Sequence, residues 1–231
     1  MTRLFSLAAA VALFAAALPA SAATIAIIGT GGVGSALGPR FVEAGHIVVY
    51  GSRTPDAAEI AELVRETGVG TRATTQAAAV VDADIVVLAI PWAPAESIVT
   101  GLGNLSGKII IDPINALAFG ENRTIGPAAE PSAAALIQSW APEAKVVKAF
   151  NTLTRAYMVD PASFGSRITI PLAGDDAAAK RTVADLVTAI GLEPLDVGGL
   201  SRAREVEAMG LLYVAQGFQG RSRFEYALTP R

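Results

Sequence analysis

The chain has 231 residues, of which 52% are hydrophobic and only 17% charged, with a formal net charge of −3. That length holds one large domain or one domain with a small appendage, and the apolar content excludes a disordered chain. No basic block occurs, which argues against nucleic acid and acidic membrane surfaces as partners. Cysteine is absent and His46 is the single histidine, so disulfides, thiolate catalysis and most metal or triad sites fall away.

The N-terminus carries Arg3, an apolar run over residues 4–18, a break at Pro19 and the triplet Ala20-Ser21-Ala22. These are the parts of a Sec-type signal peptide over residues 1–22. The run is too short for a comfortable bilayer span, so no stable span is expected once it is removed. Export predicts a periplasmic protein; an uncleaved anchor is a competing reading, and a start placed too far upstream would leave the protein cytoplasmic.

Residues 24–53 organise the rest of the chain. Ile25, Ala26, Ile27 and Ile28 form a short apolar strand, followed by Gly29-Thr30-Gly31-Gly32-Val33-Gly34, a helical stretch to Ala44 and a second apolar run over 47–50. A G-x-G-x-x-G turn between strand and helix is a dinucleotide-binding fingerprint. Gly29 permits the tight turn, Gly31 lets the backbone approach a pyrophosphate, and Gly34 lets helix and sheet pack closely. The amides near Gly32 and Val33 then face the phosphates at the positive end of the helix dipole. An NAD site places an acid at the end of the second strand, but this chain has Gly51-Ser52-Arg53. A hydroxyl and a guanidinium suit the 2′-phosphate of NADP, unless Arg53 is a solvated charge and Ser52 a turn residue.

Thr54-Pro55-Asp56 predicts a capped helix start, with the helix ending at Gly68. Pro39 falls inside the preceding helix, where a backbone hydrogen bond is lost unless the helix kinks. Residues 69–73 predict a third strand and 75–80 a short helix. Residues 84–90 form a buried strand ending at Ile90, Pro91 and Trp92, which in a doubly wound sheet line the cofactor cleft; for Trp92 ordinary packing is the alternative. After a helix over 94–102, residues 108–112 form a strand. A Gly- and Pro-rich loop over 119–131 is a lid, a substrate-facing loop or a plain connection. A helix over 132–140 leads to a strand over 145–150 and then Asn151, which either bonds a nicotinamide or flavin ring or makes an Asx turn. Strand, helix and strand come next over 168–173, 175–190 and 193–197, then a helix over 201–218 and an edge strand over 223–228.

Carbonyl or imine reduction needs a proton donor, and this sequence offers none with conviction. His46 sits at a corner between helix and second strand, on the ribose side, and no Tyr-x-x-x-Lys pair occurs. Lys145 and Lys148 belong to a strand, and Lys180 to a solvated helix face. No catalytic side chain and no metal site are therefore assigned. Hydride transfer from nicotinamide to a flavin-like ring needs stacking and exclusion of water rather than a protein acid at the transfer step.

The segments IAIIGTGGVGSALGPRFVEAGHIVVYGSR, DIVVLAIPW, VVKAFNT, GDDAAAKRTVADLVTAIGLEPLDVG and SRAREVEAMG resemble the NADP oxidoreductases dependent on the deazaflavin coenzyme F420. They also resemble the NADPH-binding domain of the six-transmembrane metalloreductases. The resemblance implies an α/β, doubly wound, mostly parallel Rossmann sheet over 23–152 with a small C-terminal α/β lobe over 153–231. It implies NADP(H) as cofactor and a flavin or deazaflavin coenzyme as the small-molecule acceptor. By matching motif, Thr30 to Val33 hold the pyrophosphate and Ser52 and Arg53 the 2′-phosphate. Ile90, Pro91 and Trp92 border the nicotinamide, and Ala149, Phe150 and Asn151 lie near the ring-stacking site. It further implies a homodimer. Two other readings stand beside it: an exported NADP-binding protein without turnover, and an imine or pyrroline-5-carboxylate-type reductase, which the strand–helix–strand over 168–197 argues against.

Overall fold

The computed structural model describes residues 22–222 and 224–228. The signal peptide expected over 1–22 lies outside them apart from Ala22. In chain order the elements are β1 (Thr24–Ile28), α1 (Gly32–Glu43), β2 (Ile47–Ser52), α2 (Ala58–Thr67), β3 (Arg72–Thr75), α3 (Gln76–Ala79), β4 (Ile85–Leu88), α4 (Ala95–Gly101), β5 (Ile109–Asp112), β6 (Leu117–Phe119), β7 (Ile125–Pro127), α5 (Ala133–Trp140), β8 (Lys145–Lys148), α6 (Arg155–Val159), β9 (Thr169–Gly174), α7 (Ala177–Ala189), β10 (Glu193–Gly198) and α8 (Ala203–Phe218).

One sheet takes eight strands in the order β10-β9-β8-β5-β4-β1-β2-β3. Every neighbouring pair is parallel except β8 with β9, so the segment after residue 152 continues the same sheet with two strands running the other way. Both faces are covered, which is why the central strands β1, β4 and β5 are near-continuous apolar runs. Along β1, Ile25 and Ile27 face a cluster shared with α1, α2, α6 and α7, while Ala26 and Ile28 face one shared with α3, α4, α5 and α8. This is the doubly wound α/β architecture expected.

The local departures have physical causes. The helix expected at Thr54 begins at Ala58 with Ala57 as its uncapped N-cap. Thr54 instead closes a turn, its carbonyl accepting from the Ala57 amide at 3.1 Å. Strand β3 starts three residues late because Gly68 and Gly70 hold φ of +120° and +84° around a fully solvated Val69. Helix α1 continues through Pro39, and both Pro39 and Ser35, whose carbonyl loses its donor, are only partly buried. The loop over 119–131 contains most of a two-stranded hairpin, β6–β7. Residues 224–228 form no strand, yet the Thr169 amide donates to the Tyr226 carbonyl at 2.7 Å.

Candidate functional site

The order of the strands reverses at β1, which lies between β2 and β4, and the crevice between β1 and β4 therefore opens at the strands' carboxyl ends. The three fingerprint glycines serve different ends there. Gly29 holds φ +105°, and a Cβ on it would lie 2.2 Å from the Ala89 carbonyl oxygen; a Cβ on Gly34 would lie 2.2 Å from that of Gly29. Strand, turn and helix close only with glycine at these two places. Gly31 is different: it has an extended conformation, and a Cβ there would meet nothing within 4 Å. As N-cap it brings no side-chain acceptor, and the first turn of α1 holds no acid. The amides of Gly32, Val33 and Gly34 thus point toward the crevice with no acceptor among the described residues, a ready anion site.

Next to this turn, the Gly29 amide donates to the Gly51 carbonyl at 3.1 Å, which ties the end of β1 to the end of β2. Ser52 is nearly buried and its Oγ accepts from the Thr54 amide at 3.1 Å, leaving its hydroxyl proton to donate elsewhere. Arg53 is exposed.

Beyond β4, Ile90 is nearly buried and Pro91 exposed. Trp92 stacks on Trp140 with centroids 5.5 Å apart, and its indole N–H donates to the Ala128 carbonyl at 3.3 Å. It clamps α5 and the exit of the hairpin, so packing accounts for its ring. Ala149 and Phe150 are fully buried, and the Phe150 ring meets Phe41 of α1 edge-on at 6.5 Å. Phe150 offers no ring face to a ligand; its φ of +64°, costly for a bulky residue, turns the backbone at the carboxyl edge.

Asn151 makes no Asx turn. Its Nδ2 donates to Asn115 Oδ1 (3.2 Å) and to the Val206 carbonyl (3.0 Å), while Asn115 Nδ2 donates to the Asn151 carbonyl at 2.8 Å. The pair pins α8 across the ends of β5 and β8, and the crossing is close enough that a Cβ on Gly210 would lie 2.1 Å from Asn115 Oδ1. Only Asn151 Oδ1, buried and unpartnered, is left to accept a bond.

The candidate proton donors lie elsewhere. His46 is at the amino edge of the sheet, opposite the ribose side expected for it; Nδ1 accepts from the Ala23 amide at 3.2 Å, and burial holds its pKa below the ordinary value. Lys180 is not solvated as expected: it donates to Asp196 Oδ1 at 2.8 Å and to the Gly198 carbonyl at 3.0 Å. Lys148 is fully buried, with Asp112 Oδ2 at 3.0 Å and Glu207 Oε1 at 3.3 Å.

Two features escaped the sequence reading. Arg155, the first residue of α6, passes over the glycine turn, its Cδ 3.6 Å from where a Cβ on Gly32 would be. Arg155 also borders a cavity of about 420 Å³ lined by Phe119, Thr154, Tyr213, Val214, Gly217 and Phe218. Phe119 meets Phe218 at 5.1 Å between centroids, and Arg123 bonds the Phe218 carbonyl, so hairpin and α8 form this wall together. Only the folded chain brings residues 119, 155 and 218 to one place.

Residues 24–116 match the family model of the coenzyme F420-dependent NADP oxidoreductases. The F420-dependent NADP reductase of Methanocaldococcus jannaschii is 30% identical over 86% of this chain and 94% of its own length. The chain belongs to this family. The stretch matched by the family model takes in the glycine turn, Ser52, Arg53 and Ile90 to Trp92, whereas Asn151 and Arg155 lie beyond it. Rat metalloreductase STEAP3 is 32% identical over 85% of this chain, which spans only 38% of that protein's length. A crystal structure from Arthrobacter sp. FB24, assigned as an F420-dependent NADP reductase, superposes with a TM-score of 0.79 at 30% identity, covering 90% of this chain and 100% of the other. Membership in this family makes the chain an NADP-dependent oxidoreductase. Among the described residues, no helix is long and apolar enough to cross a membrane.

Proposed function

We propose that the protein transfers a hydride between NADPH and a flavin or deazaflavin coenzyme by stacking the two rings. The observation that carries the nucleotide half is Gly31. The fold requires glycine at 29 and 34, but none of the described residues requires it at 31, where the missing Cβ leaves the α1 amides open to a pyrophosphate. Ser52 and Arg53, beside it at the end of β2, suit a 2′-phosphate. Ile90 and Pro91 wall the crevice on the nicotinamide side.

The acceptor half rests on the cavity beside Arg155, whose lining of Phe119, Tyr213, Val214 and Phe218 suits a planar ring. The nicotinamide supplies the hydride, and the acceptor ring takes it without a proton from the protein at that step. The residues' work is therefore to hold the rings face to face and exclude water. The engagement of His46, Lys148 and Lys180 elsewhere fits this assignment. A homodimer, implied by the family resemblance, and periplasmic export, expected from the N-terminal sequence, belong to the same proposal; sizing the purified protein and N-terminal sequencing of exported material test them.

The deciding experiment follows NADPH absorbance with the purified protein alone, then with FMN, FAD or coenzyme F420, with NADH as control. Oxidation of NADPH with one ring coenzyme, lost in Gly31→Val while the circular dichroism spectrum is kept, is the expected result. NADPH binding without turnover on any ring would move the function to an NADP-binding protein. Failure to bind NADPH would remove both readings.

A further inference from the structure

We infer that Arg155, from the C-terminal segment, is a second cation of the dinucleotide site and grips the pyrophosphate from the side opposite the α1 amides. The inference rests on the proposed function, because it takes the glycine turn to hold a dinucleotide.

The geometry begins with Gly32, the first residue of α1. A Cβ there would touch Arg155 Cδ at 3.6 Å, so the side chain already crosses the helix start, and the guanidinium begins one bond beyond that carbon. An anion gathered by the amides of Gly32, Val33 and Gly34 lies within its reach. The backbone beneath Arg155 is fixed. Thr154 caps α6 by accepting from the Tyr157 amide at 3.4 Å, Met158 is buried in the core, and α6 packs against α1.

The guanidinium is also uncommitted. Arg40, Arg65, Arg167, Arg202 and Arg204 are each paired with a glutamate. Arg155 is exposed, and among the described residues no carboxylate lies within ion-pair distance of it. A planar fork of donors meets phosphate oxygens bidentately, and the helix dipole acts on the same anion. Arg155 would thus close the turn from outside while its other flank forms part of the acceptor cavity wall.

This position separates Arg155 from Arg53. The pyrophosphate is common to NADPH and NADH, whereas the 2′-phosphate is not. Titration of NADPH and NADH into the purified wild-type protein and Arg155→Ala, read by calorimetry, tests the inference. The expected result is a loss of affinity on the order of ten- to a hundredfold for both dinucleotides by a similar factor, with an unchanged melting temperature. Arg155→Lys should recover part of the affinity, because it keeps the charge and loses the fork. Unchanged affinity for both dinucleotides overturns the inference. So does a loss confined to NADPH, which would put Arg155 at the 2′-phosphate, or a loss seen only in the acceptor's KM. If the wild-type protein binds neither dinucleotide, the proposed function falls and this inference with it.

Discussion

Arg53 leaves β2 at the carboxyl edge beside Ser52, exposed, with no carboxylate among the described residues within ion-pair distance. An acid at this place would hold the ribose hydroxyls of NAD and repel a 2′-phosphate, so under the proposed function the guanidinium is the group that would set the preference between the two dinucleotides. Arg53→Ala should weaken NADPH by about 1.5–3 kcal/mol, the worth of a hydrogen bond to a charged group, and leave NADH unchanged. Titration with both nucleotides decides; equal loss for each would remove the 2′-phosphate assignment. The residues at 29–34 and 51–53 were legible because each group is a short run whose meaning depends on the strand just before it. Arg155 was not, because the residue it crosses, Gly32, belongs to another element and nothing local to residue 155 marks the contact.

Among elements, the fold is tied where β5, β8, α5 and α8 meet. Lys148 in β8 donates to Asp112 Oδ2 of β5 at 3.0 Å and lies 3.3 Å from Glu207 Oε1 of α8. Glu207 in turn accepts from the Ala133 and Ala134 amides at the start of α5, at 3.0 and 3.2 Å. One ammonium thus fixes α8, and with it one wall of the cavity beside Arg155. Desolvating three charges leaves little net stabilisation, but removing one partner strands the others in the interior. Lys148→Met should cost about 3–5 kcal/mol in urea unfolding, and adding Asp112→Leu should restore part of it. A cost below about 1 kcal/mol would show that water reaches the carboxylates and that the network does not hold α8. Sequence placed Lys148 inside a strand correctly, but its partners come from β5 and α8, and pairing between distant elements leaves no periodic mark. The Thr54 cap failed for a local reason: the Thr54 carbonyl takes the Ala57 amide and closes a turn before the helix, which propensity alone does not weigh.

Across the whole molecule, the alternation of strand and helix announced the α/β class, and the apolar runs announced a sheet buried on both sides. Strand direction was not announced. Strands β9 and β10 run opposite to the other six, and side-chain alternation along a strand reads the same both ways. The stability of the assembled sheet carries its own signature through Tyr50. Its ring is fully buried beneath α1, in space that Gly38 leaves open, since a Cβ on Gly38 would lie 1.9 Å from the phenol oxygen. Thr67 Oγ1 donates to the Leu63 carbonyl at 2.7 Å, so the Tyr50 hydroxyl, 2.9 Å away, is the donor to Thr67 and must keep its proton. Burial pushes this phenol up to about 12 from its ordinary 10.0. The folded state therefore holds a proton that the unfolded chain releases near pH 10. The stability linked to it is complete below that pH and is lost as pH rises through about 12. Tyr226 is also raised by burial and adds a loss of the same sign, but it is present in both the wild type and Tyr50→Phe. At neutral pH the variant should be less stable by about 1 kcal/mol, for the lost hydrogen bond. Its disadvantage should shrink as the medium becomes more alkaline, because it has no phenol to ionise at this position. Urea unfolding of both proteins across that window tests the assignment, and two parallel profiles would mean that Tyr50 ionises as freely in the fold as in the open chain.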